Sequence, residues 1–255
     1  MHLPIKTSLL ILPAYLLFFM VCSGMFWGPS AAYGAEKWTG QATLYLWGAG
    51  MGGKIKPSTG APKVSLDRSF SEILEDLDHA LFVSGLARRH RLVLLGDFSY
   101  ASLSRKGSVP PGIEAKGRLS QKSLTMAGGY RAVDGQKIKL DVLAGVRQWW
   151  IRGSVKVPLA GVDRSRELSF CDPVAALRAN FSLSPRWSTL FYGDTGGFGV
   201  GSRSTSQLVV TLNYKASENI YFSTGYRHLN VDYRSKGSRV DVTLAGPLFG
   251  ITWHF

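Results

Sequence analysis

Past residue 35 the chain carries four histidines, His79, His90, His228 and His254, and a single cysteine, Cys171. None of the histidines pairs by spacing with a serine, cysteine or acid in a way that would build a nucleophile and its base. Asp78 and His79 are adjacent, so on a strand they point to opposite faces. No His, Cys, Asp or Glu cluster has metal-ligand spacing, and the glycine-rich run Gly193 to Ser202 lacks the GxxxxGK[ST] pattern of a phosphate loop. No cofactor is expected. The residues that remain are acids and arginines set at alternate positions inside apolar segments: Asp97, Asp141, Arg147, Arg178, Asp194 and Arg227. Charges placed in this way are buried, and buried charges must be paired. The expectation is a network of ion pairs and hydrogen bonds; the sharper alternative is a polar conduit or ligand site.

The segments carrying these charges alternate with period two, the strand period. Candidate strands are 38–47, 79–89, 91–103, 118–130, 137–150, 169–182, 186–195, 203–214, 219–229 and 240–255. Each has one long apolar face and one small, polar or charged face. In 137–150, Ile138, Leu140, Val142, Ala144 and Val146 oppose Lys139, Asp141, Leu143, Gly145 and Arg147; in 203–214, Leu208, Val210, Leu212 and Tyr214 oppose Gln207, Val209, Thr211 and Asn213. The connections alternate too. Those at 89–91, 131–136, 183–185 and 215–219 are short, and those at 48–78, 104–117, 151–168, 196–202 and 230–239 are long. An antiparallel meander then collects all short turns at one end, as outer-membrane barrels do. Charges lie on the face that would point into a lumen, and aromatics (Trp38, Tyr45, Trp47, Tyr100, Tyr130, Trp149, Trp150, Phe181, Trp187, Tyr214, Tyr226, Trp253 and Phe255) cluster at strand ends, where a membrane interface favours them. The fold class is therefore all-β: a transmembrane antiparallel up-and-down β-barrel of about ten strands, or eight if two weak runs are loops. One segment departs from this pattern. Ser69 and Glu72 form a capping box ahead of Phe70, Ile73, Leu74 and Leu77 at helical spacing, so a short amphipathic helix is expected in the first long loop, plugging the mouth or packing on the rim. Its acids Glu72, Glu75 and Asp76 would meet loop arginines.

Residues 1–35 read as a cleaved secretory leader: Lys6, an apolar run over 8–21, and small residues at Ala31, Ala32, Gly34 and Ala35. Cys22 follows Met20-Val21 rather than a small residue, so no lipidation is expected. With Cys171 alone after cleavage, no internal disulfide staples the barrel over 36–255. The last strand, LFGITWHF, carries Phe249, Ile251, Trp253 and Phe255 on one face. That face would sit in lipid while the backbone closes on the first strand.

Leu44-Tyr45-Leu46-Trp47, the run Phe70 to Asp78, Leu95 to Tyr100, Gly193 to Ser202, Gly225 to Tyr233 and Gly246 to Gly250 resemble segments of small Gram-negative outer-membrane β-barrels of the surface-antigen and outer-membrane-protein-W type. The resemblance spans essentially all of 36–255. It implies fold and outer-membrane location, and little about activity; where the family leads one to expect an acid, this chain has Ala87. The terminal Phe255 with Trp253, Ile251 and Phe249 resembles the signal read by the barrel-assembly machinery. Omptin-like proteases carry an Asp-x-His pair and lipid A deacylases a His-x-Ser pair, and neither pair occurs here.

The formal net charge is +13. Basic residues gather in the long connections: Lys54, Lys56, Lys63, Arg68, Arg105, Lys106, Lys116, Arg152, Lys156, Arg164, Arg166, Arg203, Arg234, Lys236 and Arg239. Lipopolysaccharide phosphates are the partner such a rim would meet through charge-assisted contacts; export and barrel patterning argue against nucleic acid. The expected role is structural or surface-interacting, not enzymatic. A narrow channel for small solutes is the alternative, and a rim-located enzyme the third.

Overall fold

The computed structural model describes residues 37–56, 64–109, 112–235 and 238–255. The expected leader over 1–35, Lys63 and Lys236 lie outside the described residues. Twelve strands follow in order: β1 Thr39–Trp47, β2 Gly50–Lys56, β3 Val64–Arg68, β4 Leu77–Arg89, β5 Leu92–Val109, β6 Ile113–Asp134, β7 Ile138–Val157, β8 Val162–Ser182, β9 Trp187–Gly196, β10 Ser204–Lys215, β11 Ile220–Ser235 and β12 Ser238–His254. Among the described residues one α-helix, α1 (Phe70–Asp76), stands between β3 and β4. Every pairing is antiparallel, and β1 pairs with both β4 and β12, which closes the sheet.

The barrel wall counts ten strands because β1 and β2 act as one interrupted strand. Gln41–Trp47 runs against His254–Leu248, and Gly50–Lys56 continues against Ala245–Arg239. The interruption lies at Gly48-Ala49, opposite Gly246. A Cβ on Gly246 would collide with the Gly48 carbonyl, so the close crossing requires glycine there. Above the break β2 turns into a hairpin with β3 instead of pairing with β4, and α1 bridges the gap.

The faces alternate as the sequence predicts. Leu44, Val142, Leu177, Leu208, Phe222 and Ile251 point outward and are exposed; so are Phe249, Trp253 and Phe255. An exposed apolar band on a closed barrel is stable only against lipid. The chain is a transmembrane β-barrel. The last residue is anchored by the backbone: Phe255 N–H donates to Gly40 O (2.9 Å), and Phe255 O accepts from Gly40 N–H (2.7 Å).

Two expectations need correction. The long connections 104–117 and 151–168 are mostly strand. Strands β5 to β8 run 18, 22, 20 and 21 residues, whereas a tilted strand crosses a bilayer in about 9–11. Roughly half of each therefore projects beyond the membrane as two long hairpins, and β7 turns into β8 through a single 3₁₀ turn at Pro158–Ala160. Alternation fades there in β5, β7 and β8, where neither face of the projecting part meets lipid, and persists in β6 over 113–119. Likewise β11 extends to Ser235 through the connection expected over 230–239. The second correction concerns three aromatics. Tyr45, Trp47 and Trp149 do not join the interface belt; they are buried in the lumen.

Helix α1 forms where the capping box requires. Glu72 N–H donates to Ser69 Oγ (3.4 Å), and Ser69 N–H donates to the Glu72 carboxylate (2.8 Å). The Ser69 N–H and the Ser69 hydroxyl (3.0 Å), both donating to the carboxylate, hold the Glu72 carboxyl below its ordinary range more than Arg68 beside it does. Arg68 pairs with Glu72 at 3.2 Å and Arg105 with Asp76 at 3.7 Å. The helix lies on the rim. Its Phe70, Ile73 and Leu74 border a small apolar cavity of about 80 Å³ beside Trp47 and Phe82.

Candidate functional site in the barrel lumen

From the outer end inward the lumen has three zones. The outermost is an aromatic core: Trp47, Phe82, Trp149, Phe170 and Tyr233 packed with Leu229, Val231, Leu244 and Leu248. Phe170 stacks on Tyr233 with centroids 4.5 Å apart and on Trp149 at 6.0 Å. Stacked pairs of this kind contribute beyond their buried area.

Beneath it lies a charged belt. Arg147, 1% exposed, is bidentate to Asp194 at 2.6 and 3.0 Å and donates through Nε to Thr125 at 2.8 Å. Arg227 donates to Asp97 (3.2 Å), to Gln207 (2.7 and 3.1 Å) and to the Tyr45 hydroxyl, and its guanidinium sits 4.6 Å from the Trp47 ring centroid. Tyr45 in turn donates to Asp97 at 2.7 Å. Gln207 joins the two halves, donating to Asp194 at 3.3 Å. The strand register makes this possible. Gln207 is opposite Asp194, Thr125 opposite both Asp97 and Arg147, and Val209 opposite Arg227. Four strands thus present their charges at one depth.

The third group, Asp141 and Arg178, sits nearer the short-turn end. Asp141 is fully buried and receives Arg178 at 3.1 Å and Arg131 at 2.7 and 3.2 Å. The six charges expected in the lumen are therefore all placed in it, but as two groups rather than one.

Sequence reasoning missed Arg131, Asp172, Tyr45 and Gln207. The turn expected over 131–136 would leave Arg131 outside the sheet, yet β6 runs on to Asp134 and Arg131, on the parity of Thr125 and opposite Asp141, points inside. Asp172 shares strand parity with Arg178 and could have been found by it. It accepts Trp149 Nε1–H (3.2 Å), Ser202 N–H (2.6 Å) and Ser202 Oγ–H (2.9 Å), tying the 197–203 loop to the core. That loop turns through Gly197, Phe198 and Gly199, all with positive φ.

Below the belt the lumen opens into a vestibule of about 330 Å³ at the short-turn end, where Arg186, Trp187, Lys215, Tyr221 and His254 form its mouth. His79, His90 and His228 lie outside this lining, on exposed positions. Among the described residues no group of three or more His, Cys, Asp or Glu is placed to hold a metal ion.

On the outside, the projecting parts of β5, β6 and β7 stack cations in register. Lys106 is opposite Lys116, and Lys116 opposite Lys156. All three are exposed, and only Lys156 has a carboxylate partner among the described residues, Asp163 at 2.8 Å. On the same face Arg118 and Arg152 follow toward the membrane. The next rung places Tyr100 opposite Lys122 and Lys122 opposite Trp150, with the Lys122 ammonium 5.4 Å from the Tyr100 ring centroid.

Neither a protein-family model nor a curated protein sequence matches this chain. Solved structures similar to it include the outer membrane protease OmpT from Escherichia coli (TM-score 0.49, 10% identity, 89% of this chain and 99% of that one). Others are Ail, the attachment invasion locus protein of Yersinia pestis, in complex with the heparin analogue sucrose octasulfate (0.39, 14%, 86% and 99%), and Neisserial surface protein A (0.31, 15%, 88% and 100%). The likeness is one of barrel architecture, and no activity is carried over from it.

Proposed function

We propose that this protein is an outer-membrane barrel with a closed lumen and a surface-interaction role, its outer basic face binding lipopolysaccharide phosphates. The observation that carries the reading is the lysine rung. Like charges directly opposite on a sheet repel and destabilise it, and here Lys116 stands between two lysines. An anion bridging them turns that repulsion into charge-assisted hydrogen bonds. The rung lies above a Tyr100–Lys122–Trp150 row at the level where lipid headgroups begin, so acidic headgroups are the anions at hand. In this reading the chain is exported by the leader over 1–35, and Phe249, Ile251, Trp253 and Phe255 present its last strand to the barrel-assembly machinery.

The aromatic core and the paired belt across the lumen support a filled barrel over a narrow channel, in keeping with the small strand number. The test is lipopolysaccharide binding by the barrel in detergent, measured as a rise in unfolding temperature across a salt series. The wild type is expected to gain stability, less so at high salt. Lys106→Gln/Lys116→Gln/Lys156→Gln is expected to lose most of that gain while remaining folded by heat-modifiable gel migration. A triple variant that responds like the wild type would overturn the assignment.

A further inference from the structure

The outer half of the lumen is filled with large aromatics, yet the half toward the short turns is hollow, because β8 to β12 present small polar side chains there. Asn180, Ser188, Thr211, Asn213, Ser223 and Thr252 line one wall of the 330 Å³ vestibule. The facing strands β4 and β5 contribute Leu86 and Leu95, while Leu190 and Val209 interrupt the polar wall beside Thr211. This volume is at the lower end of small-molecule sites, and a mostly preformed pocket with convergent polar groups is their usual form.

The charge is one-sided. Five cations line the vestibule, Lys139, Arg178, Arg186, Lys215 and Arg227, against one carboxylate, Asp97, which Arg227 already engages. Arg178 shares Asp141 with Arg131, and Lys215 pairs with Glu218 at 2.9 Å. Lys139 and Arg186 have no carboxylate partner among the described residues; the Arg186 guanidinium donates to the Tyr214 hydroxyl at 3.5 Å. Two uncommitted cations at a mouth, with low-dielectric walls behind, focus a positive potential into the cavity.

We propose that the vestibule is a binding site for a sugar-sized, hydroxyl-rich molecule carrying one phosphate or carboxylate. The anion is held at the mouth by Lys139 and Arg186, the hydroxyls by the Ser, Thr and Asn wall, and the less polar face by the leucines opposite. The pocket geometry does not depend on membrane orientation. Only its compartment, the periplasm, rests on the orientation in which short turns face inward.

The experiment is isothermal titration of the whole barrel in a zwitterionic detergent with glucose 6-phosphate, glucuronate, glucose and inorganic phosphate as probes. Saturable binding is expected for the first two, about tenfold tighter than for glucose or phosphate, since each of those keeps one half of the contacts. Lys139→Gln/Arg186→Gln is expected to weaken the charged sugars to the level of glucose, and Ser223→Leu to block all sugars by filling the cavity. Both changes leave the lysine rung intact, so lipopolysaccharide stabilisation reports separately on the outer face and shows that each variant is folded. No saturable binding of either charged sugar, or binding unchanged by both variants, overturns the proposal. Inorganic phosphate binding as tightly as glucose 6-phosphate overturns it as well, because the hydroxyl wall would then contribute nothing.

Discussion

Replacing Asp194 by alanine removes the carboxylate that receives two hydrogen bonds from Arg147, at 2.6 and 3.0 Å, and one from Gln207 at 3.3 Å. The pair is almost wholly inaccessible, with side-chain exposure of 2% for Arg147 and 0% for Asp194. Arg147 cannot shed its proton, its other hydrogen-bond partners, Thr125 and Thr205, are uncharged, and Asp172 opposite it is already engaged by Trp149 and Ser202. The variant therefore holds an uncompensated buried guanidinium, which costs about 3–5 kcal/mol. Arg147→Met costs a similar amount for the opposite charge. The double variant Arg147→Met/Asp194→Leu buries no charge. It loses only the neutral partners, Thr125 and Gln207, at about 1 kcal/mol each, so it is expected within about 2 kcal/mol of the wild type. The coupling energy of the cycle is then at least about 4 kcal/mol. The assay is urea unfolding of the barrel in lipid vesicles, followed by tryptophan fluorescence and by unboiled gel migration. Single losses that simply add in the double variant would refute the reasoning, since they would mean that water reaches the belt and solvates each charge alone.

The same closed lumen predicts that the wild-type barrel gives no conductance steps in a planar bilayer; steady, reproducible steps would show a path past Trp149 and Arg227. The outward band predicts that Val146→Arg, in the middle of β7, costs about 2–4 kcal/mol of stability in lipid, against less than 1 kcal/mol for a change to arginine at Ser154 beyond the headgroups; equal effects would mean that the band does not face lipid. The helix cap is pH-dependent. Because the folded-state pKa of Glu72 is lowered, its contribution is full above the ordinary carboxylate range and is lost as pH falls through the lowered value. Amide exchange in 70–76 should therefore accelerate at pH 3 relative to pH 6, after correction for the intrinsic rate, and should lose that dependence in Ser69→Ala/Glu72→Gln; protection that is the same at both pH values in the wild type would refute the cap.

What was legible in the sequence followed from periodicity held in place by lipid. Along Ile138 to Arg147 an apolar face can meet only acyl chains, so the alternation is strict and both faces could be assigned. The capping box at Ser69 and Glu72 was legible because its two hydrogen bonds are local. Above the membrane no solvent difference separates the faces, and the extensions of β5 to β8, with Gly107, Gly117 and Gly153 inside them, read as loops. The β2–β3 hairpin was hidden in the same way by Gly50, Gly52 and Gly53. The aromatics went wrong for a different reason. A tryptophan near a strand end suits either an interface or a lumen, and only parity decides. Trp149 lies two residues from Arg147 and so shares its inward face, whereas Trp150, one further, points out.

Parity also explains why the charges form separate layers. Residues facing the lumen on one strand recur every second position, so charges at one depth on neighbouring strands must come from cross-strand partners. Thr125, Arg147 and Asp172 are such a row, and Gln207 and Asp194 another. Arg147 reaches past β8 to Asp194 on β9, while Asp172, opposite it on β8, is engaged by Trp149 and Ser202. The belt is thus held from β6, β7, β9 and β10 on one side and from β1, β5 and β11 on the other, with Gln207 as the joint. A barrel braced in this way across its middle does not need its inner half filled. The vestibule can stay hollow, lined by Ser, Thr and Asn, without loss of closure, and that is the physical condition for a ligand to occupy it.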